Sequence, residues 1–89
     1  MTYQLEITTE AQGDMSDLSG FVRAQAIQIL RRLRDNPRPP RARELRGKHN
    51  FYRIWLARKW RIVYEIDDEA RLIVVLRVRL KEQIDYDSV

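Results

Sequence analysis

Two strand-like runs that stand three residues apart constrain this chain more than any other feature. In residues 51–56 and 60–66 arginines alternate with apolar side chains, and Ala57, Arg58 and Lys59 separate the runs. A three-residue hairpin loop sets Leu56 opposite Trp60, Ile54 opposite Ile62 and Tyr52 opposite Tyr64, so that every pair on one face is apolar or aromatic. The other face then carries Trp55 opposite Arg61 and Arg53 opposite Val63. A four-residue loop sets apolar against charged residues and is disfavoured. Successive strand side chains point to opposite faces, and an unpaired buried charge is costly. The register therefore predicts one core face and one cationic face, and phosphate is the natural ligand for the second.

The turn Asp67-Asp68-Glu69-Ala70 leads into a third strand over residues 71–79, whose apolar stretch 72–76 reads as the central strand. With parity kept across that hairpin, Arg77 and Arg79 join Arg53 and Arg61 on one face. Earlier in the chain Tyr3, Leu5 and Ile7 alternate as a first strand. Thr9 with Gln12 three residues on fits a capping box, and Ala11, Met15 and Leu18 mark one face of a short helix. Ser19-Gly20 breaks it. Val22, Ala26, Ile29, Leu30 and Leu33 define the stripe of a longer helix, with Arg23, Arg31, Arg32 and Arg34 outside. Asn36-Pro37 and Pro39-Pro40 end that helix, because proline disfavours the helical conformation in the residue before it. The predicted fold is α+β, in the order β-α-α-β-β-β, with two N-terminal helices packed on an antiparallel sheet of about four strands. Residues 1–89 read as one domain.

Charge is distributed unevenly. Residues 38–61 hold nine Lys/Arg against the single acid Glu44, a local charge of +8, whereas the rest of the chain holds eight basic against twelve acidic residues, or −4. Such polarisation suits a polyanion. The chain has no cysteine, which excludes disulfides and thiolate metal sites and agrees with a reducing compartment. No apolar run approaches the roughly 18 residues of a membrane helix, and the first residues lack the pattern of a signal peptide. A soluble, cytoplasmic protein is expected.

Leu45-Arg46-Gly47, Tyr52-Arg53-Ile54, the run from Trp60 to Ile66, Val74-Val75-Leu76-Arg77-Val78 and a late tyrosine, taken in order, resemble the RelE/ParE superfamily of toxins from bacterial toxin–antitoxin modules. The resemblance covers nearly the whole chain. It implies a microbial-ribonuclease type of fold that cuts messenger RNA in the ribosomal A site, using the ribose 2′-hydroxyl as nucleophile with no metal or cofactor. It also implies a small antitoxin as partner. In this likeness Arg61 matches the arginine that stabilises charge on the phosphate, Arg53 a neighbouring basic residue, Lys81 the basic residue that serves as acid, and Tyr86 the tyrosine that stacks on a base. Arg46, Lys48, Trp55, Arg77 and Arg79 are the expected RNA-binding residues around them.

Arginine suits such a role because its planar fork grips two oxygens and keeps its charge. Arg53 cannot act as a base for the same reason. Trp55 stands where the family carries a basic residue, and Leu80 stands in a stretch after the last strand where it carries a proton-transferring one. These departures leave two further readings open: inhibition of DNA gyrase in the manner of ParE, without nuclease chemistry, or a degenerate member that only binds its antitoxin. Glu65 shares the arginine face and is a candidate to orient Arg61. His49, the one histidine, has no partner visible in the sequence. The segment 38–48 suits phosphates or an acidic antitoxin, and Tyr3, Tyr52 and Tyr64 read as packing residues.

Overall fold

The computed structural model describes residues 2–89. Its elements are β1 (Gln4–Ile7), α1 (Thr9–Asp17), α2 (Gly20–Asp35), β2 (Arg43–Glu44), β3 (Phe51–Leu56), β4 (Trp60–Asp67) and β5 (Leu72–Leu80), followed by a 3-10 turn, Lys81–Gln83. The order of elements is the one expected, and both helices share a core with one face of the sheet. Ala11 and Leu18 of the first helical segment and Val22, Ala26, Leu30 and Leu33 of α2 bury against Ile54, Leu56, Ile62, Tyr64, Ile66, Ile73, Val75 and Val78. The helical stripe read from the sequence is thus the buried one, with Ile29 at its margin.

The sheet differs from expectation in two respects. It has five strands in the order β1-β5-β4-β3-β2, and β1 lies parallel to β5, because the chain crosses over through both helices before it returns beside its start. The added strand, β2, is two residues long and pairs only Arg43 with Arg53 and Glu44 with Tyr52. The hairpin of β3 and β4 has the expected register in every pair, from Leu56–Trp60 to Tyr52–Tyr64. Its loop needs left-handed backbone at Ala57 (φ 49°) and Arg58 (φ 73°), a strained choice without glycine.

Arg77 and Arg79 reach the cationic face by a different route from simple parity. The turn pairs Asp67 with Leu72 and Tyr64 with Val75, which puts odd-numbered β5 residues in the core; a register shift between Val63 and Tyr64 then sets Val63 opposite Arg77 and Arg61 opposite Arg79. One extra residue, Leu76, restores the arginines to the outer face, which is what a β-bulge does.

Caps also moved. Thr8, not Thr9, caps α1: its hydroxyl accepts from the Ala11 N–H at 3.1 Å, while the Gln12 amide donates to the Ile7 carbonyl at 2.9 Å. Ser19 caps α2. Arg23, expected on the outer face of α2, donates to the carbonyls of Met15, Ser16 and Leu18, satisfying the open end of α1.

Candidate active site

The outer face of the sheet is built around Arg61. It stands mid-sheet on β4, opposite Trp55 on one side and Arg79 on the other, and is only 8% exposed. The Trp55 ring covers its guanidinium at 4.2 Å, a cation–π contact. Its Nη1 donates to the Tyr86 hydroxyl at 2.7 Å. Nε is buried with no hydrogen-bond partner, and no carboxylate of the described residues pairs with this charge. Glu65 therefore does not orient Arg61; Tyr86 and Trp55 do. A buried guanidinium with an open donor and no counter-ion is a poor contribution to stability. It is a good receptor for an anion.

Residues 81–89 fold back over this face. Lys48 donates its ammonium to the main-chain oxygens of Asp87 and Val89, and Arg79 donates to the Gln83 carbonyl at 3.4 Å. Beside Arg61 this leaves a cavity of about 290 Å³ lined by Glu44, Leu45, Arg46, Lys48, Arg53, Tyr86 and Asp87. The structure thus gathers Arg46, Lys48, Arg53, Arg61, Trp55 and Tyr86, all singled out in the sequence.

The remaining candidates make other contacts. Arg77 forms a fork with Asp14 at 2.9 and 3.0 Å, and Arg79 approaches the same carboxylate at 3.8 Å. The Asp14 hydrogen bonds, first among the causes, push the Arg77 guanidinium further up. Asp14 also accepts from the Val78 N–H at 3.0 Å, because β1 pairs with β5 only as far as Val75 and leaves this edge open. No sequence signal pointed to Asp14; it becomes visible only once α1 lies beside β5. Lys81 opens the exposed 3-10 turn, its N–H donating to the Lys59 carbonyl. His49 does have a partner, with Nδ1 3.4 Å from Glu44, but its side chain is 88% exposed. Glu44 pairs across from Tyr52 and also lines the cavity shared by Arg53 and Tyr86. Arg38, expected among the phosphate contacts, is engaged in the fold: it grips Asp68 at 3.1 and 2.9 Å and also donates to Tyr52 and Asn50. The tyrosines read as packing also carry polar contacts, Tyr3 to Asp68 and Tyr64 to the Pro37 carbonyl, each at 2.7 Å. Among the described residues no three His, Cys, Asp or Glu side chains come together, and no helix is long and apolar enough to cross a membrane.

An arginine without a carboxylate partner at the centre of a sheet face is suited to receive an anion. Known proteins share this fold. Residues 5–85 match the family model described as the ParE toxin of the type II toxin–antitoxin system parDE. A putative RelE-like toxin protein of Escherichia coli is 34% identical over 86 residues, 96% of this chain and 90% of that one. A double mutant of the E. coli toxin RelE in the free state superposes with a TM-score of 0.81 at 30% identity, over 92% of this chain and 86% of that one. The toxin in the intact E. coli RelBE toxin–antitoxin complex gives 0.81 at 29% identity, over 91% and 99%. The chain belongs to the RelE/ParE superfamily of toxins of type II toxin–antitoxin systems.

Proposed function

We propose that this toxin cleaves messenger RNA in the ribosomal A site, in the cytoplasm, and is neutralised by a cognate antitoxin. The observation that carries the reading is the buried Arg61, which has a free donor and no counter-ion. A backbone phosphate supplies what it lacks. The Tyr86 hydroxyl on Nη1 holds the place of a phosphate oxygen and must swing aside when RNA enters, where the ring then stacks on a base. In the cut the ribose 2′-oxygen attacks phosphorus and the bond to the 5′-oxygen breaks. Arg61 and Arg53 hold the charge that builds on the non-bridging oxygens. Lys81 protonates the leaving oxygen after the turn that bears it rearranges. The 2′-hydroxyl proton goes to solvent. Arg46 and Lys48 carry the flanking phosphates, and Arg79 extends the track on the other side.

Induced expression of the wild type arrests growth and leaves RNA ends that map within translated messages; with Arg61→Ala neither occurs. Arrest with intact messages refutes the nuclease reading.

One observation favours a second reading. Among the described residues no histidine or carboxylate pairs with Arg61, and Trp55 and Leu80 occupy positions where the family's nucleases carry polar groups. Inhibition of DNA gyrase without nuclease chemistry fits that, and a supercoiling assay with the purified toxin separates the two.

A further inference from the structure

Arg61 and Arg79 stand directly across from each other on β4 and β5, and antiparallel strands set such partners about 5 Å apart at Cβ. Like charges in that relation repel and destabilise the sheet. Among the described residues the pair has one carboxylate within ion-pair reach, Asp14 of α1, and that one is largely taken. Arg77 holds both of its oxygens at 2.9 and 3.0 Å, and Oδ2 also accepts the Val78 N–H. Arg79 approaches Oδ1 only to 3.8 Å, beyond hydrogen-bond length, and its Nη1 meets the Gln83 carbonyl at a long 3.4 Å. Two arginines on one strand are thus held differently. Arg77 is fixed, whereas Arg79 is held loosely beside a gap of about 60 Å³ that reaches toward Gln83 and Asp85. The Asp14 side chain is 9% exposed and that of Arg79 36%, so the carboxylate is anchored and the guanidinium has room to turn.

We infer that Asp14 is a positioning residue that holds Arg79 in reserve, and that the phosphate bound by Arg61 draws Arg79 off it, so that two arginines on neighbouring strands grip one phosphate. The inference rests on the nuclease reading above and gives Arg79 the scissile phosphate itself. Charge decides when the exchange is favourable. A phosphodiester carries one negative charge, as Asp14 does, so in the bound substrate Arg79 trades one monoanion for another with little gain. As the 2′-oxygen adds to phosphorus, the non-bridging oxygens take up a second charge, and the trade then favours the phosphate. An interaction that strengthens only as the reaction proceeds raises kcat, whereas one made equally with the substrate lowers KM. Asp14 thereby keeps the Arg79 contact weak before the reaction and strong where charge builds. Arg77, forked to the same carboxylate, keeps Asp14 in place while Arg79 moves.

The test is the cleavage kinetics of the full-length toxin on ribosomes programmed with a defined message. Arg79→Ala lowers kcat about tenfold or more and leaves KM within about twofold, the mark of a contact made chiefly in the transition state. Asp14→Asn keeps an oxygen for the Val78 N–H but frees Arg79 to meet substrate and transition state alike, so KM falls roughly three- to tenfold while kcat holds. In the double variant the fall in KM disappears, because Asp14 acts through Arg79. Asp17→Asn removes the same charge from an exposed position on α1 and leaves both constants unchanged. Wild-type kcat in Arg79→Ala, with Arg61→Ala inactive, overturns the inference and leaves the nuclease reading standing. An unchanged KM in folded Asp14→Asn, or a fall in KM that persists without Arg79, makes Asp14 a structural residue only and overturns it as well. If Asp14→Asn does not fold, the kcat of Arg79→Ala decides alone. A wild type that cuts no message removes the nuclease reading and this inference together.

Discussion

Arg38 and Arg61 serve opposite purposes, and their surroundings invert the usual relation between burial and pairing. Arg38 has a side chain 38% exposed, yet each guanidinium nitrogen donates, to Asp68, Tyr52 or Asn50, and its charge lies near the Tyr52 ring. Arg61 is nearly buried and has one polar partner, a neutral hydroxyl. Burial ordinarily demands pairing. A charge that is paired where water would have sufficed belongs to the scaffold: Arg38 ties the end of α2 to β3 and to the turn between β4 and β5. A charge left without a counter-ion where water is excluded adds little to the stability of the scaffold.

The comparison breaks most easily at Arg61. Arg61→Ala should abolish growth arrest and, if RNA is the substrate, lower cleavage by roughly 10²–10³, the usual effect of removing one preorganised donor to developing charge. Arg61→Leu should melt at or above the wild-type temperature, because it removes a buried charge that nothing neutralises. Persistent toxicity together with a lowered melting temperature would make Arg61 a structural residue like Arg38.

Scaffold pairs should show the reverse. Asp14→Ala leaves the Arg77 guanidinium and the Val78 N–H without their acceptor, and should destabilise the fold by about 1–3 kcal/mol in chemical denaturation. Arg38→Ala, discounted for its exposure, should lower the melting temperature by roughly 5–10 °C, while toxicity at 25 °C survives. A loss of toxicity in a folded Arg38→Ala protein would assign that arginine to the site.

Why one arginine could be read from the sequence and the other could not follows from the range of the forces involved. The hairpin of β3 and β4 is local: alternation and a three-residue loop fix which side chains face each other, so Arg53, Trp55 and Arg61 were placed correctly. Arg77 and Arg79 were placed on the right face although the bulge at Leu76 was not foreseen, since an extra residue leaves no mark in a run that is apolar throughout. The parallel pairing of β1, the role of Asp14 and the engagement of Arg38 with Asp68 are contacts across 30 to 68 residues of sequence, and propensity is silent about them. Tyr86 was legible only through its likeness to a family. Nothing in the residues before it says that the chain turns back over the sheet.

The smallest effect separates the two arginines by pH. The Arg38 fork, and after it the Tyr3 hydroxyl, hold the Asp68 carboxyl down to about 2, against roughly 3.9 for an unfolded aspartate. A depressed carboxyl contributes stability that is fully present above the unfolded pKa and is lost as pH falls toward the folded one. Thermal melts of wild type and Asp68→Asn should therefore differ at pH 6, keep that difference down to about pH 4, and converge as pH approaches 2. Other carboxylates act on both proteins alike and cancel. No carboxylate of the described residues pairs with Arg61, so the difference between wild type and Arg61→Leu should hold constant over the same range. If that difference instead closes between about pH 4 and 2, an acid pairs with Arg61 in solution, and the contrast between a paired scaffold charge and a free site charge is lost.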